Sequence, residues 1–189
     1  MKQIRISIAV IVLLCLIVFG WYQHGYNEIV KLDQNVKSSW AQVESQLQRR
    51  FDLIPNLVRT VKGYSEHERG LFENVASLRS QWAQASSVSE KVEAANALAP
   101  TITKLLLVFE NYPNLKANEN FLALQSQLEG TENRLAVERR RYNQAVEQFN
   151  AYQQSFFGRF FANQTGKIES ATYFKAVEAA STTVPEVNF

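Results

Sequence analysis

The chain has 189 residues, 46% of them apolar, with 20 Lys and Arg against 18 Asp and Glu. Lys2 and Arg5 precede the N-terminal hydrophobic segment, so the remainder carries 20 − 2 = 18 basic against 18 acidic residues and is near neutral. That length suits one helical core, and that balance argues against a nucleic-acid binder, which needs a basic face to neutralise phosphates. Cys15 is the only cysteine, which rules out a disulfide within the chain, and His24 and His67 are too few for most metal sites.

From Ile6 to Phe19 the sequence is apolar except for Ser7, and Gly20, Trp21 and Tyr22 extend it to an aromatic boundary. A run of roughly 17 residues is the short end of a membrane-spanning helix. A signal peptide is the rival reading. No small-x-small cleavage site follows the run, and Leu14 rather than a small residue precedes Cys15, which argues against lipidation. The expectation is an uncleaved anchor over residues 1–25, with its span at about 5–22. Lys2 and Arg5 lie before the span and no Lys or Arg follows until Lys31. By the positive-inside rule the N-terminus is cytoplasmic and the rest lies outside, with Trp21 and Tyr22 as interface anchors. The expected location is a bacterial inner membrane, with the domain periplasmic or extracytoplasmic.

Four amphipathic helical stretches follow over residues 26–155, and no strand pattern competes with them. The first, about 26 to 51, places Ile29, Val36 and Val43 at seven-residue spacing, with Trp40, Leu47 and Ile54 on a companion row. Pro55 lacks an N–H and disfavours helix at the residue before it, so this helix is expected to end near Phe51 and a second to start near Pro55, with Asp52 near its cap. The second, about 55 to 84, carries Val58, Val61, Leu71, Phe72, Val75, Leu78 and Trp82. Ser86 to Ser89 is a polar break in which Ser87 and Glu90 have capping-box spacing. The third, about 88 to 111, carries Val92, Leu98, Ile102, Leu105, Leu106 and Phe109, with Pro100 expected to kink it. Tyr112-Pro113-Asn114 reads as a turn. The fourth, about 118 to 155, has Phe121, Leu128, Leu135, Tyr142, Phe149 and Phe156 in heptad register. Its companion row includes Thr131 and Glu138, which either form a polar layer or reach solvent where the seam rotates.

Short connections between amphipathic helices favour an all-α, antiparallel up-and-down four-helix bundle, and the heptad repeat favours left-handed packing. Such a topology brings Arg49, Arg50, Asp52, Pro55 and Asn56 to one membrane-distal tip with Tyr112, Pro113, Asn118, Glu119 and Asn120. This tip has two compatible readings: ion pair and cap that fix a turn, or a partner-binding surface. The remaining residues, 156–189, form a C-terminal tail that begins beside the bilayer. There Phe156, Phe157, Phe160 and Phe161 either plug the base of the bundle or enter the headgroup region.

The catalytic patterns fail on inspection. His67-Glu68 begins like HExxH, but position 71 is Leu. Glu-x-x-His pairs of di-iron bundles are absent, because Trp21 and Tyr64 stand three residues before the two histidines. Phosphate-loop, nucleophile-elbow and Cys–His patterns do not occur. Glu66, Glu68 and Glu73 read as a solvated helix face, and Arg139-Arg140-Arg141 is offset by Glu138 and Glu147.

The segment RRFDLIPNLVRTVKGYSEHE, from Arg49 to Glu68, resembles the signature of the LemA family of bacterial membrane-anchored proteins. Tyr26-Asn27 and Trp40 upstream are similar to that family, as are YPNLKANENFLALQSQLEGTENRLAVERRRYNQAVEQFN from Tyr112 to Asn150 and the ending Pro185 to Phe189. Two departures stand out: His24 precedes Gly25-Tyr26-Asn27 where some members have a lipidated cysteine, and no proline occurs at 152–156. The resemblance implies one membrane helix and a soluble four-helix domain, and implies no activity. The sequence reading is therefore a non-enzymatic envelope scaffold or adaptor without a cofactor, its partners the membrane and unidentified envelope proteins. A regulatory partner of a membrane enzyme such as a protease is the alternative, and homo-oligomeric assembly through the span and heptad faces is a third.

Overall fold

The computed structural model describes residues 2–62, 69–110, 112, 115 and 118–175, and among these every regular element is helical. The helices are α1 (Lys2–Lys62), α2 (Arg69–Gln84), α3 (Val88–Glu110), α4 (Glu119–Gln154) and α5 (Phe156–Thr165). The chain divides into two compact units, Met1–Trp40 with Tyr142–Ala171, and Ala41–Arg141 with Thr172–Phe189. The turn at Pro113-Asn114, His67 with its neighbouring glutamates Glu66 and Glu68, and the ending Pro185 to Phe189 lie outside the described residues.

In the first unit, the apolar residues from Ile4 to Phe19 are at least half exposed. This stretch is long and apolar enough to cross a membrane, and none of its most apolar window is buried against protein. Inward packing begins about two turns later, at Gly25. Ile29, Phe149, Phe161 and Ala162 form a core, with Val30, Leu32, Val36, Tyr152 and Ala171 against it. Tyr152 donates its hydroxyl to the Gly25 carbonyl at 3.1 Å, and Trp40 meets Tyr142 edge-on at 5.3 Å. The pairings 25 with 152 and 40 with 142 run α1 and α4 antiparallel. Gly25 is where a side chain cannot fit: a Cβ there would overlap the buried Phe161 ring.

Ser155 ends α4 and starts α5. Its backbone is extended, with ψ 158°, and its Oγ accepts from the Gly158 N–H at 3.0 Å while donating to the Tyr152 carbonyl at 2.7 Å. The reversal is tight enough that a Cβ at Gly158 would overlap the Tyr152 carbonyl. This break explains why the heptad row stops short. Tyr142 and Phe149 are buried as expected, whereas Phe156 is 87% exposed because it no longer belongs to α4. After α5, two buried amides hold the chain down. Asn150 donates to the Ala171 carbonyl at 3.0 Å and accepts its N–H at 2.8 Å. Gln153 donates to the Lys167 carbonyl at 2.8 Å and accepts from the Ser170 hydroxyl at 3.0 Å. Asp33 takes Lys167 at 2.5 Å and Lys37 at 3.0 Å. Burial alone would raise the Asp33 pKa, but the hydrogen bonds and charges of the two lysines together hold it below its ordinary value.

In the second unit, α1 contributes Val43, Leu47, Phe51, Ile54 and Leu57 to the core. Val75, Leu78 and Trp82 come from α2, Val92, Leu98, Ile102 and Leu105 from α3, and Phe121, Leu128 and Leu135 from α4. Phe51 stacks on Trp82 at 4.9 Å. The expected capping box forms: the Glu90 carboxylate accepts from the Ser87 N–H at 3.1 Å while Ser87 Oγ accepts from the Glu90 N–H at 3.2 Å. The Ser86 and Ser87 backbone N–H bonds hold the Glu90 pKa below its usual value. Asn118 caps α4 by accepting from the Asn120 and Phe121 N–H groups. Thr131 is fully buried and returns its hydroxyl to the Gln127 carbonyl at 2.8 Å, so it does not reach solvent. Glu138 is partly exposed and pairs with Arg141 at 2.9 Å.

The expected break at Phe51–Pro55 does not occur. Helix α1 runs through it to Lys62 with Pro55 inside, and Asp52 caps nothing: it sits mid-helix and accepts from Gln48. Pro100 also lies inside a helix, α3. Proline costs a helix interior about 3 kcal/mol. Phe51, Ile54 and Leu57 are each at most 2% exposed, and full burial of such side chains contributes about 1.5–3 kcal/mol apiece. Keeping all three on one helical face outweighs one lost hydrogen bond.

Pro55 is therefore a cost rather than a helix start. Pro55→Ala in the full-length chain should raise the free energy of denaturant unfolding by about 1–3 kcal/mol. A helix beginning at Pro55 would show no gain, because the residue would then occupy a favoured first-turn position.

Candidate functional site

Of the residues expected at a tip, Arg49, Arg50, Asp52, Pro55 and Asn56 lie within α1, Glu119 and Asn120 open α4, and Tyr112 and Asn118 lie between α3 and α4. Arg49 and Asn56 are exposed on α1, and the Asn56 side chain accepts from Arg59 one turn on. Asp52 is half exposed, with Arg79 of α2 at 3.8 Å. Tyr112 is partly buried, and its carbonyl accepts from the Leu115 N–H at 3.0 Å. Asn118 is consumed as a cap, and Glu119 and Asn120 are exposed in the first turn of α4. Pro113 lies outside the described residues. Pro55 lines a shallow apolar groove of about 570 Å³ between α1 and α2, with Val58, Phe72, Val75 and Ala76 on its walls and Arg59 and Arg79 beside it.

Arg50 is the least ordinary member. Its side chain is 8% exposed, and its Nη2 lies 3.0 Å from Glu132 Oε2 on α4. The contact is one of charge rather than an aligned hydrogen bond, because neither Arg50 Nε nor that Glu132 oxygen has a hydrogen-bond partner among the described residues. Burial lowers the Arg50 pKa; the Glu132 charge opposes this, and the Arg139 charge adds to it. Burial lowers the Arg139 pKa as well, again opposed by Glu132. One carboxylate thus balances two guanidinium groups. Arg139 also lies over the Phe174 ring at 4.2 Å. Lys91 of α3 pairs with Glu44 of α1 and sits over Trp82, whose indole N–H reaches Gln48 at 3.4 Å. Charges in this unit therefore tie helix to helix. No cluster of three metal-ligating side chains occurs among the described residues.

The four phenylalanines divide. Phe161 is buried in the first unit's core, as a plug would be, while Phe156, Phe157 and Phe160 are exposed. Sequence reasoning missed Glu132, Asp33, Lys167, Asn150 and Gln153. Asp33 and Lys167 carry no local pattern that signals pairing. Asn150 and Gln153 could have been suspected, since polar residues one and four positions after buried Phe149 on a heptad helix need partners.

The Arg50 arrangement predicts an asymmetry. Glu132→Gln leaves two partly buried guanidinium groups without a counter-charge and should cost roughly 1–3 kcal/mol. Arg50→Met leaves Glu132 on a half-exposed side chain with the Arg139 charge still beside it, so it should stay within about 1 kcal/mol of the parent. Denaturant midpoints of the two variants measure the order, and equal costs would show that the pair is not desolvated.

The LemA family model matches residues 39–189. Two curated relatives, magnetosome protein MamQ 1 and magnetosome protein MamQ 2 of Paramagnetospirillum magneticum, are each 21% identical over 185 residues, covering 84% of this chain and 68% of the relative. The matched region takes in most of the chain, including Arg50, Asp52 and Pro55 on α1, the Asn118 cap, Glu132 and all of α5, and the chain belongs to the LemA family.

Proposed function

We propose that α1 enters a bacterial inner membrane through its first turns, with the N-terminus cytoplasmic, and that the following helices form an antiparallel four-helix bundle on the other side. The bundle works as a non-enzymatic envelope scaffold or adaptor. The observation that carries the anchor is the exposed apolar surface of Ile4 to Phe19, for which the structure offers no protein cover. Water tolerates so large a contiguous patch poorly, whereas hydrocarbon solvates it. Lys2 and Arg5 on one side, with Trp21 and Tyr22 on the other, support the orientation. The antiparallel α1–α4 pairing and the four-helix core of the second unit support the bundle.

The scaffold reading is supported by where the charges go. Arg50, Glu132, Lys91 and Glu44 join helices in one unit, and in the other Asp33 on α1 holds Lys167 in the segment after α5. What remains for a partner is surface: Arg49, Asp52 and Asn56 on α1, the groove beside Pro55, and Glu119 and Asn120 on α4.

Orientation is tested with Ser89→Cys in a Cys15→Ala background. In bacteria with a permeabilised outer barrier, an impermeant thiol reagent should label it before the inner membrane is opened. Labelling only after inner-membrane lysis would reverse the orientation. The adaptor role is tested by a photo-crosslinking residue at Asn56 and, separately, at Asn120 in native membranes. Discrete bands containing a second envelope protein are expected. Links to further copies of this chain alone would replace the adaptor with a homo-oligomer.

A further inference from the structure

Helix α5 has three kinds of surface. Gly158, Phe161 and Ala162 face the protein and are buried. Arg159 and Asn163 form an exposed polar edge. Between them lie Phe156, Phe157 and Phe160, which are 87%, 55% and 46% exposed. At 3.6 residues per turn these three fall within an arc of about 100°. Three exposed phenylalanines on three turns of helix are a surface awaiting an occupant.

The position of that surface identifies the occupant. Phe157 meets Trp21 edge-on at 5.2 Å, and Phe161 lies 5.4 Å from Trp21 and 5.7 Å from Tyr22. Trp21 and Tyr22 are the residues at which the exposed apolar stretch of α1 ends. An indole and a phenol at the end of a span settle at headgroup depth. A ring in contact with that indole shares its depth. Ser155 and Gly158 build the reversal that places α5 there, and the Asn150 and Gln153 clasps hold the chain that leaves it.

We infer that α5 is an interfacial helix: Phe156, Phe157 and Phe160 insert among lipid headgroups and upper acyl chains beside α1, while Arg159 and Asn163 remain at the polar surface. The site is a lipid surface of the outward leaflet, and the inference rests on α1 being the membrane anchor. Its role is to fix how the first unit is oriented on the bilayer, which a single span alone leaves free to rotate and tilt.

The test uses the full-length chain in phosphatidylcholine vesicles, in a Cys15→Ala background, with a nitroxide attached in turn to Phe160→Cys, Phe156→Cys, Ile8→Cys and Ser77→Cys. Collision rates with oxygen and with a water-soluble nickel chelate report depth. Ile8 calibrates hydrocarbon and Ser77, exposed on α2, calibrates water. Labels at 156 and 160 should show an oxygen-to-nickel ratio several-fold above that of Ser77 and below that of Ile8. A ratio equal to that of Ser77, with Ile8 still in hydrocarbon, overturns the inference and leaves the anchor standing. A water-like ratio at Ile8 overturns the anchor and the inference with it. Dipolar broadening between labels at 156 or 160, with both reagents excluded, would show that a second copy covers the face and overturns the lipid assignment. The unfolding midpoint of each variant confirms that the label reports on folded protein, and Phe156, the most exposed of the three, serves if Phe160→Cys unfolds.

Discussion

At Pro55 helix α1 lacks one donor, leaves the Phe51 carbonyl without its usual partner four residues on, and continues to Lys62. The side chains carried on this stretch decide the outcome. Phe51 lies flat on Trp82 while Ile54 and Leu57 fill the same core, and the Gln48 side chain bridges Asp52 and the Trp82 indole. The same helix carries Glu44 to Lys91 and Arg50 to Glu132. Bending or breaking it at Pro55 would disturb an aromatic stack, two ion pairs and three buried side chains to recover one hydrogen bond. Through this continuity, the helix that begins with exposed apolar residues is also the helix around which the second unit's core is built.

The first unit solves a different problem. Its core is small, so it is closed by specific contacts rather than by volume. Gly25 leaves room for Phe161, Ser155 turns the chain, and Asn150 and Gln153 satisfy the backbone of the returning segment while themselves buried. Buried amides of this kind are tolerable only when fully partnered. Here they fix one chain path for residues 167–171, which an apolar pair in their place would leave unspecified.

Much of this was legible in the residues. The heptad rows on α1 and α4 predicted Ile29, Val43, Leu47, Leu128, Leu135, Tyr142 and Phe149 as core, and the Ser87–Glu90 spacing predicted the cap. Two kinds of feature were not legible. Pro55 signals a break by local rules, and only the depth of burial around it shows why the rule fails. The sequence likewise does not distinguish Phe161 from Phe160, because which phenylalanine turns inward depends on the Ser155 reversal that resets the helical phase. Arg50 is legible only as one of several tip candidates, and its partner Glu132 lies far along the chain with no motif to announce it. The groove beside Pro55 exists only because α2 packs on an unbroken α1.

We propose that α1 is one helix that starts in hydrocarbon and ends in the second unit's core. Amide hydrogen exchange of the full-length chain in lipid nanodiscs, resolved by peptide, measures this directly. Amides of residues 6–20 should exchange slowest, shielded from water by lipid, and protection should continue without a gap from residue 29 through 60. Rapid exchange at residues 51–56 would show that the helix breaks at Pro55 after all. Rapid exchange at residues 6–20 would show that the apolar stretch is not in the membrane.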